Sequence, residues 1–206
     1  MRETAEQKLE RLTQIERSLW AQGRAVAGMD EVGRGPLAGP VVTACVSIPM
    51  EKIIPGVDDS KKLSEKRRES LYDLLIAAAE YCEITFIPRE TIDEINILNA
   101  TRRAMEKSAS GFRRANGVIL IDAVEGLSLP CAGRAIVHGD AESYMIAAAS
   151  VVAKVARDRH MIKLDETYPQ YGFARNKGYG TAEHIAALKK YGPCPEHRRT
   201  FIGHFV

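Results

Sequence analysis

Residues 25–40 read Ala25-Val26-Ala27-Gly28-Met29-Asp30-Glu31-Val32-Gly33-Arg34-Gly35-Pro36-Leu37-Ala38-Gly39-Pro40, and their order decides the fold. A short apolar run, Ala25 to Met29, runs into two adjacent acids. A segment dense in glycine and proline follows, which marks a turn or loop. Val41 to Ile48 is then apolar and rich in β-branched residues, the pattern of a second strand. Neighbouring residues of a strand point to opposite faces, so Asp30 and Glu31 set at least one charge against a covered sheet unless the chain turns or a cation binds.

The pattern outward is consistent with such a sheet. On the N-terminal side, residues 5–21 carry Leu9, Leu12, Ile15, Leu19 and Trp20 among charges, which predicts one amphipathic helix closed by Gly23. Downstream, Ser64 to Glu80 reads as a helix, Cys82 to Ile87 as a third strand, and Ile92 to Ala109 as a helix with room for one break. Val118 to Ile121 is too short an apolar run for a helix and reads as a central strand, with Ala135 to Val137 a shorter one. Ala141 to Leu164 predicts a long helix. Strands alternating with helices give an α/β or α+β sheet covered on both faces. From Tyr168 the composition shifts to Gly, Pro and Tyr around a short helix at Ala182 to Tyr191, and this tail is expected to clasp the main body.

Each acidic group that stands out follows a strand. Asp30 and Glu31 follow the first, Asp122 follows Val118 to Ile121, and Asp140 follows Ile136-Val137 and opens the long helix. Strand ends in such folds are where ligands gather. Two bland readings stay open at this point: Asp140 as a helix N-cap and Asp122 as a turn residue. If the four converge, two charges 4 Å apart repel by roughly 4 kcal/mol at an effective dielectric of 20. Such a cluster takes up protons or holds cations. Oxygen donors alone favour magnesium or manganese over zinc, and two divalent ions would match four negative charges. Gly33-Arg34-Gly35 lets backbone groups approach a ligand closely.

Composition excludes several classes. Twenty-nine Lys and Arg stand against 27 Asp and Glu for a net charge of +2, too even to argue for nucleic acid by itself. The four cysteines form no C-x-x-C pair, so neither a disulfide framework nor a zinc site is expected, and a reducing cytoplasm is the default. The N-terminus lacks an apolar signal core, and no 18-residue apolar run exists, so no membrane partner is expected.

Taken in order, the motifs resemble the ribonuclease HII family. The opening Met29 to Pro40 is followed by Asp59-Ser60-Lys61-Lys62-Leu63-Ser64, Asn96-Ile97-Leu98-Asn99-Ala100-Thr101, Ile121-Asp122-Ala123 and Gly139-Asp140-Ala141. Ile146 to Ser150, Ala153-Lys154-Val155, Arg157-Asp158, Gly178-Tyr179-Gly180-Thr181 and His197 to Phe201 complete the series. The resemblance implies a ribonuclease H-like α/β fold, a mixed sheet of about five strands with helices on both faces, in a single domain over 1–206 whose residues from about 168 form a short helical substrate clasp. It also implies that Asp30, Glu31, Asp122 and Asp140 are the catalytic carboxylates holding two Mg2+ or Mn2+ ions. Gly33, Arg34 and Gly35 would read a 2′-hydroxyl, Tyr179 would stack on the next deoxyribose, and Lys61 and Lys177 would hold phosphates. The implied reaction hydrolyses the RNA strand of RNA/DNA hybrids and nicks 5′ of single ribonucleotides in duplex DNA, leaving 3′-hydroxyl and 5′-phosphate ends. The implied setting is ribonucleotide excision repair by a monomer in the cytoplasm. One departure is visible, His138 where the family usually has Lys before the Gly-Asp pair. The alternative is a hybrid-binding module on the same fold without catalysis. The sister ribonuclease HIII family is disfavoured because its junction motif differs from Gly-Arg-Gly.

Overall fold

The computed structural model describes residues 4–206. A five-stranded mixed sheet has strand order β3-β2-β1-β4-β5, built from β1 (Ala25–Val32), β2 (Val41–Ser47), β3 (Tyr81–Ile87), β4 (Gly117–Asp122) and β5 (Ala132–Ile136). The first three form an antiparallel meander, while β4 runs parallel to β1 and β5 parallel to β4. The helices are α1 (Ala5–Leu12), α2 (Gln14–Ala21), α3 (Glu65–Ala78), α4 (Arg89–Ala109), α5 (Gly139–Glu142), α6 (Tyr144–Thr167), α7 (Phe173–Asn176), α8 (Ala182–Tyr191) and α9 (Arg199–Ile202).

Two helices make the sheet a three-layer structure. On one face, Val26, Ala44, Val46 and Leu120 pack against Met145 to Ala153 of α6, with Leu71 and Leu75 of α3 beside them. On the other, Ala27, Met29, Ile119 and Ile121 meet Met105 and Ala109 of α4. Each fully buried large apolar side chain contributes about 1.5–3 kcal/mol. The β5 edge is short and exposed and carries Arg134, a charge that discourages edge-to-edge pairing.

Gly28 sets how closely α6 approaches. A Cβ there would lie 2.1 Å from the Met145 carbonyl carbon and 2.3 Å from the Ile146 nitrogen. Both are backbone atoms and cannot swing aside. Gly28→Ala is therefore expected to destabilise the protein by about 1–3 kcal/mol, seen as a lower midpoint in urea. An unchanged midpoint would mean that α6 is free to shift.

Four expectations need correcting. The helix over 5–21 is two helices, because the Thr13 hydroxyl donates back to the Leu9 carbonyl at 2.8 Å and bends the chain. The helix read from Ala141 is split at Ser143, whose hydroxyl accepts from the Ile146 N–H and starts α6. The last strand is Ala132–Ile136, and Val137 lies beyond it, 73% exposed. Asp30, Glu31 and Asp122 do not follow their strands; they lie within the last residues of β1 and β4. The expected break in α4 occurs at Asn96, where φ is 65° and the side chain accepts from the Asn99 N–H at 3.1 Å to restart the helix.

Candidate active site

Strand register brings the acids together. Met29 is level with Ile121 in the parallel β1–β4 pair, so the next residues, Asp30 and Asp122, stand side by side. Gly28 faces α6, and the two-residue period of a strand turns Asp30 to that same face. Glu31 continues the opposite face at the fraying end of β1. Asp140 comes from α5, the short link between β5 and α6, where it is buried. It is not a cap residue: His138 precedes α5 and Ser143 caps α6. Asp122 does start a tight turn, its carbonyl accepting the Val124 N–H at 2.7 Å, and its Oδ1 also accepts the Gly139 N–H at 2.7 Å and ties α5 to β4. The left-handed backbone of exposed His138, φ 55°, precedes that contact.

The acids feel one another. Burial first, then the charges of Glu31 and Asp122, hold the Asp30 carboxyl well above the usual carboxylate range, against opposing hydrogen bonds from Ser150 and the Glu31 N–H. Burial raises Glu31 as well, Arg34 opposes it, and Asp122 adds to the rise. Asp122 is raised by burial, opposed by the Gly139 N–H and raised further by Asp140. Glu31 Oε1 lies 3.4 Å from the Arg34 guanidinium, while its Oε2 is buried with no hydrogen-bond partner. A buried oxygen without a donor is costly and calls for a cation or proton.

Lys61 is placed over this cluster by its own turn. Asp59 accepts the Lys61 N–H at 2.9 Å and starts the 3-10 turn Ser60–Lys62, and Lys61 Nζ reaches Asp140 Oδ2 at 3.1 Å. Burial works against its charge, but the bond and charge of Asp140 leave the ammonium above its ordinary range. Its side chain is otherwise 79% exposed and open to an incoming anion. Lys177 differs: its ammonium donates to the Ala174 carbonyl and lies 3.8 Å from Glu65, so it is already engaged.

Gly33, Arg34 and Gly35 form the loop after β1. Gly33 has φ 88°, and a Cβ there would lie 2.2 Å from Arg157 Nε, so only glycine fits. The Gly35 α-carbon has open space around it. Tyr179 is joined to the same region because Leu37 N–H donates to the Gly178 carbonyl at 2.8 Å. Its ring is 40% exposed, 5.8 Å from the Arg157 guanidinium.

Residues that sequence reasoning left without a role hold this arrangement. Arg157 donates to the carbonyls of Pro40, Ala38 and Lys177, and Arg198 to those of Gly39, Arg34 and Gly33. Both side chains are fully buried, and neither forms a salt bridge among the described residues. A signal for Arg157 existed: it falls in the helical stripe Ser150, Ala153, Arg157, Met161, whose other members are buried.

A divalent cation fits this donor set by type, because every candidate ligand is a carboxylate oxygen and one is unpartnered. Among the described residues, no three Asp, Glu, His or Cys side chains stand close enough to hold one ion as they are.

The comparisons with known proteins place this geometry. Ribonuclease H2 from Pyrococcus horikoshii OT3 superposes with a TM-score of 0.70 at 29% identity, covering 85% of this chain and 92% of that one. A mixed sheet wrapped by helices, with acids at the ends of its two central strands, thus defines a nuclease of the ribonuclease H type. A family profile described as Ribonuclease HII matches residues 27–205. Ribonuclease HII of Caldanaerobacter subterraneus subsp. tengcongensis is 50% identical over 95% of this chain and 81% of its own length. Ribonuclease HII of Geobacillus kaustophilus is 49% identical over 97% and 77%. The chain belongs to the ribonuclease HII family, hydrolytic, divalent-metal-dependent endonucleases acting on RNA/DNA hybrids. That membership sets aside the non-catalytic alternative. No helix among the described residues is long and apolar enough to cross a membrane.

Proposed function

We propose that this chain nicks duplex DNA on the 5′ side of single embedded ribonucleotides, as well as cutting the RNA strand of hybrids, by water attack that leaves 3′-hydroxyl and 5′-phosphate ends. The observation that carries the reading is the convergence of Asp30, Glu31 and Asp122 at the ends of adjacent strands, with Asp140 beside them and Glu31 Oε2 unpartnered. These four carboxylates would hold two ions, Mg2+ or Mn2+. The ions, when bound, supply an activated water and stabilise the leaving 3′-oxygen.

The chain's own groups do the rest. Lys61 sits where it can exchange Asp140 for a substrate phosphate oxygen. Gly33, Arg34 and Gly35 present backbone groups to a 2′-hydroxyl, which both donates and accepts. Arg198 occupies the Gly33 and Arg34 carbonyls, which leaves the N–H groups of this loop and the open side of Gly35 for that contact. Tyr179 offers its exposed ring to the next deoxyribose. Lys177 contributes to phosphate binding only if it leaves Ala174. In this reading the chain acts as a monomer in the cytoplasm, in ribonucleotide excision repair. Of the expected single domain over 1–206, residues 4–206 form one domain in this reading and those from about 168 act as its substrate clasp, while residues 1–3 lie outside the described residues.

End-group analysis of the cut RNA strand tests the chemistry. Water attack gives a 5′-phosphate and 3′-hydroxyl that a ligase accepts directly. A 2′,3′-cyclic phosphate would mean that the 2′-hydroxyl is the nucleophile, and the reading would fail. A second test concerns the reader. Tyr179→Ala is expected to lose about 1–3 kcal/mol of stacking, roughly five- to 150-fold in kcat/KM on a single-ribonucleotide duplex. Cleavage of a continuous hybrid, which lacks that junction, should fall much less. Equal losses on both substrates would remove Tyr179 from junction reading.

A further inference from the structure

Below Tyr179 lies a buried chain of polar groups that no catalytic role accounts for. The Cys194 N–H donates to His197 Nδ1 at 3.0 Å. His197 Nε2 is 3.0 Å from His184 Nε2, and His184 Nδ1 is 2.9 Å from the Tyr179 carbonyl oxygen. Both imidazoles are fully buried, against the rings of Tyr171 and Phe173.

The direction of every bond follows from one donor. A backbone N–H can only donate, so His197 Nδ1 is the acceptor and the proton of this imidazole is on Nε2. That proton points at His184 Nε2, which must accept. His184 then carries its proton on Nδ1, and the Tyr179 carbonyl can only accept it. Both rings are neutral, and neither tautomer is free to change without breaking a bond. Burial and the neighbouring His184 hold His197 down to about 4, against an opposing hydrogen bond to Cys194 and with the added charge of Arg199.

The chain ends on a residue whose backbone is pinned from all sides. Tyr179 N–H donates to the Asn176 carbonyl, and its own carbonyl accepts from the Thr181 N–H at 2.8 Å as well as from His184. The other end is anchored to the segment that carries Arg198, the clamp on Gly33 and Arg34, and pairs at His197 with Ala38.

We propose that His184, its tautomer fixed by His197, is a positioning residue that sets Tyr179 against the Gly33–Gly35 loop and so determines junction preference without touching substrate. The proposal rests on the reading of Tyr179 as the junction reader.

Two substitutions separate the two bonds of His184. The amide of Asn places its nitrogen near Nδ1 of histidine, where it donates, and that of Gln can turn its oxygen to the Nε2 position, where it accepts the His197 proton. His184→Asn keeps the bond to Tyr179 and breaks the link to His197; His184→Gln does the reverse. The experiment measures kcat/KM on a single-ribonucleotide duplex and on a continuous hybrid, with the melting temperature of each variant beside it. His184→Gln is expected to lower junction preference about five- to tenfold, the scale of one hydrogen bond. His184→Asn is expected to melt lower, because the buried His197 donor loses its partner, yet to keep that preference within about twofold, because an amide N–H has no tautomer for His197 to fix. In a Tyr179→Ala background, His184→Gln should add nothing, as expected for groups acting through one residue. A folded His184→Gln enzyme with wild-type preference overturns the positioning role, as does a loss of preference that tracks melting temperature equally in both variants. Wild-type preference in Tyr179→Ala is a different result: it removes the reader reading, whatever the His184 variants do.

Discussion

Asp30→Asn should raise the melting temperature of the metal-free protein by roughly 2–6 °C while lowering cleavage by at least about 10²-fold. The two effects have one cause. Asp30 is buried between Glu31 and Asp122, and its carboxyl is held well above its usual range by burial and by those charges. The sign follows from linkage. In the unfolded chain the group ionises near its ordinary value, so at neutral pH the folded state must either keep a proton or bear a buried charge, and either costs stability. The substitution removes that cost and stabilises the fold. It also removes a carboxylate proposed to hold the cation, so the response to cation is expected to change together with activity. Mn2+ at 100 times its dissociation constant stabilises by about 2.7 kcal/mol, and that gain should shrink sharply in the variant. Differential scanning calorimetry with and without Mn2+ checks both halves. A variant that melts lower than wild type, or responds fully to Mn2+, would show that Asp30 is not part of a repelling, cation-holding cluster.

Arg198→Met is expected to be the most damaging change away from the carboxylates, costing roughly 3–5 kcal/mol. Methionine keeps much of the volume, so the loss is one of donors. The carbonyls of Gly33, Arg34 and Gly39, at 2.6, 2.9 and 2.9 Å, lose their partner in a buried setting. Burial, with Arg157 nearby, draws the Arg198 guanidinium down to about 9, so it remains charged at neutral pH. Its positive end is matched by carbonyl dipoles, by the Phe201 ring 5.2 Å away and by the more distant charge of Asp93. Lysine should rescue only partly, because one ammonium cannot reproduce the planar fork that meets three separate carbonyls. The measurement is urea unfolding of the wild type, Arg198→Met and Arg198→Lys. A methionine variant within about 0.5 kcal/mol of wild type, the range of surface changes, would show that the loop holds itself.

How far the sequence carried the reading depends on the range of the contacts. β1, β2 and β4 were legible because a buried strand writes itself as an apolar run, and Asp30, Glu31 and Asp122 stood out by ending such runs. Their convergence was not legible from spacing, since it depends on Met29 pairing with Ile121, 92 positions away, in a parallel register. Asp140 was found as a residue but misplaced. The apolar stretch after it hides the break at Ser143, which exists because buried Glu16 accepts from the Ser143 hydroxyl and the Met145 N–H. A glutamate on α2 that shapes the start of α6 leaves no local pattern. Lys177 carried the right chemistry for a phosphate, but its left-handed backbone and engaged ammonium come from tertiary packing. Arg157 and Arg198 work through backbone carbonyls, which every residue has. For Arg198 the charged residue itself was therefore the only visible sign, while Arg157 was also marked by its place in a buried helical stripe.

The most direct test is a labelled DNA duplex with one embedded ribonucleotide, incubated with Mg2+, with Mn2+ and with chelator, beside an all-DNA duplex and the Asp122→Asn variant. The account predicts a metal-dependent nick on the 5′ side of the ribonucleotide, absent from the all-DNA duplex and reduced by orders of magnitude in Asp122→Asn. A nick in the all-DNA duplex, or full turnover by Asp122→Asn, would contradict it.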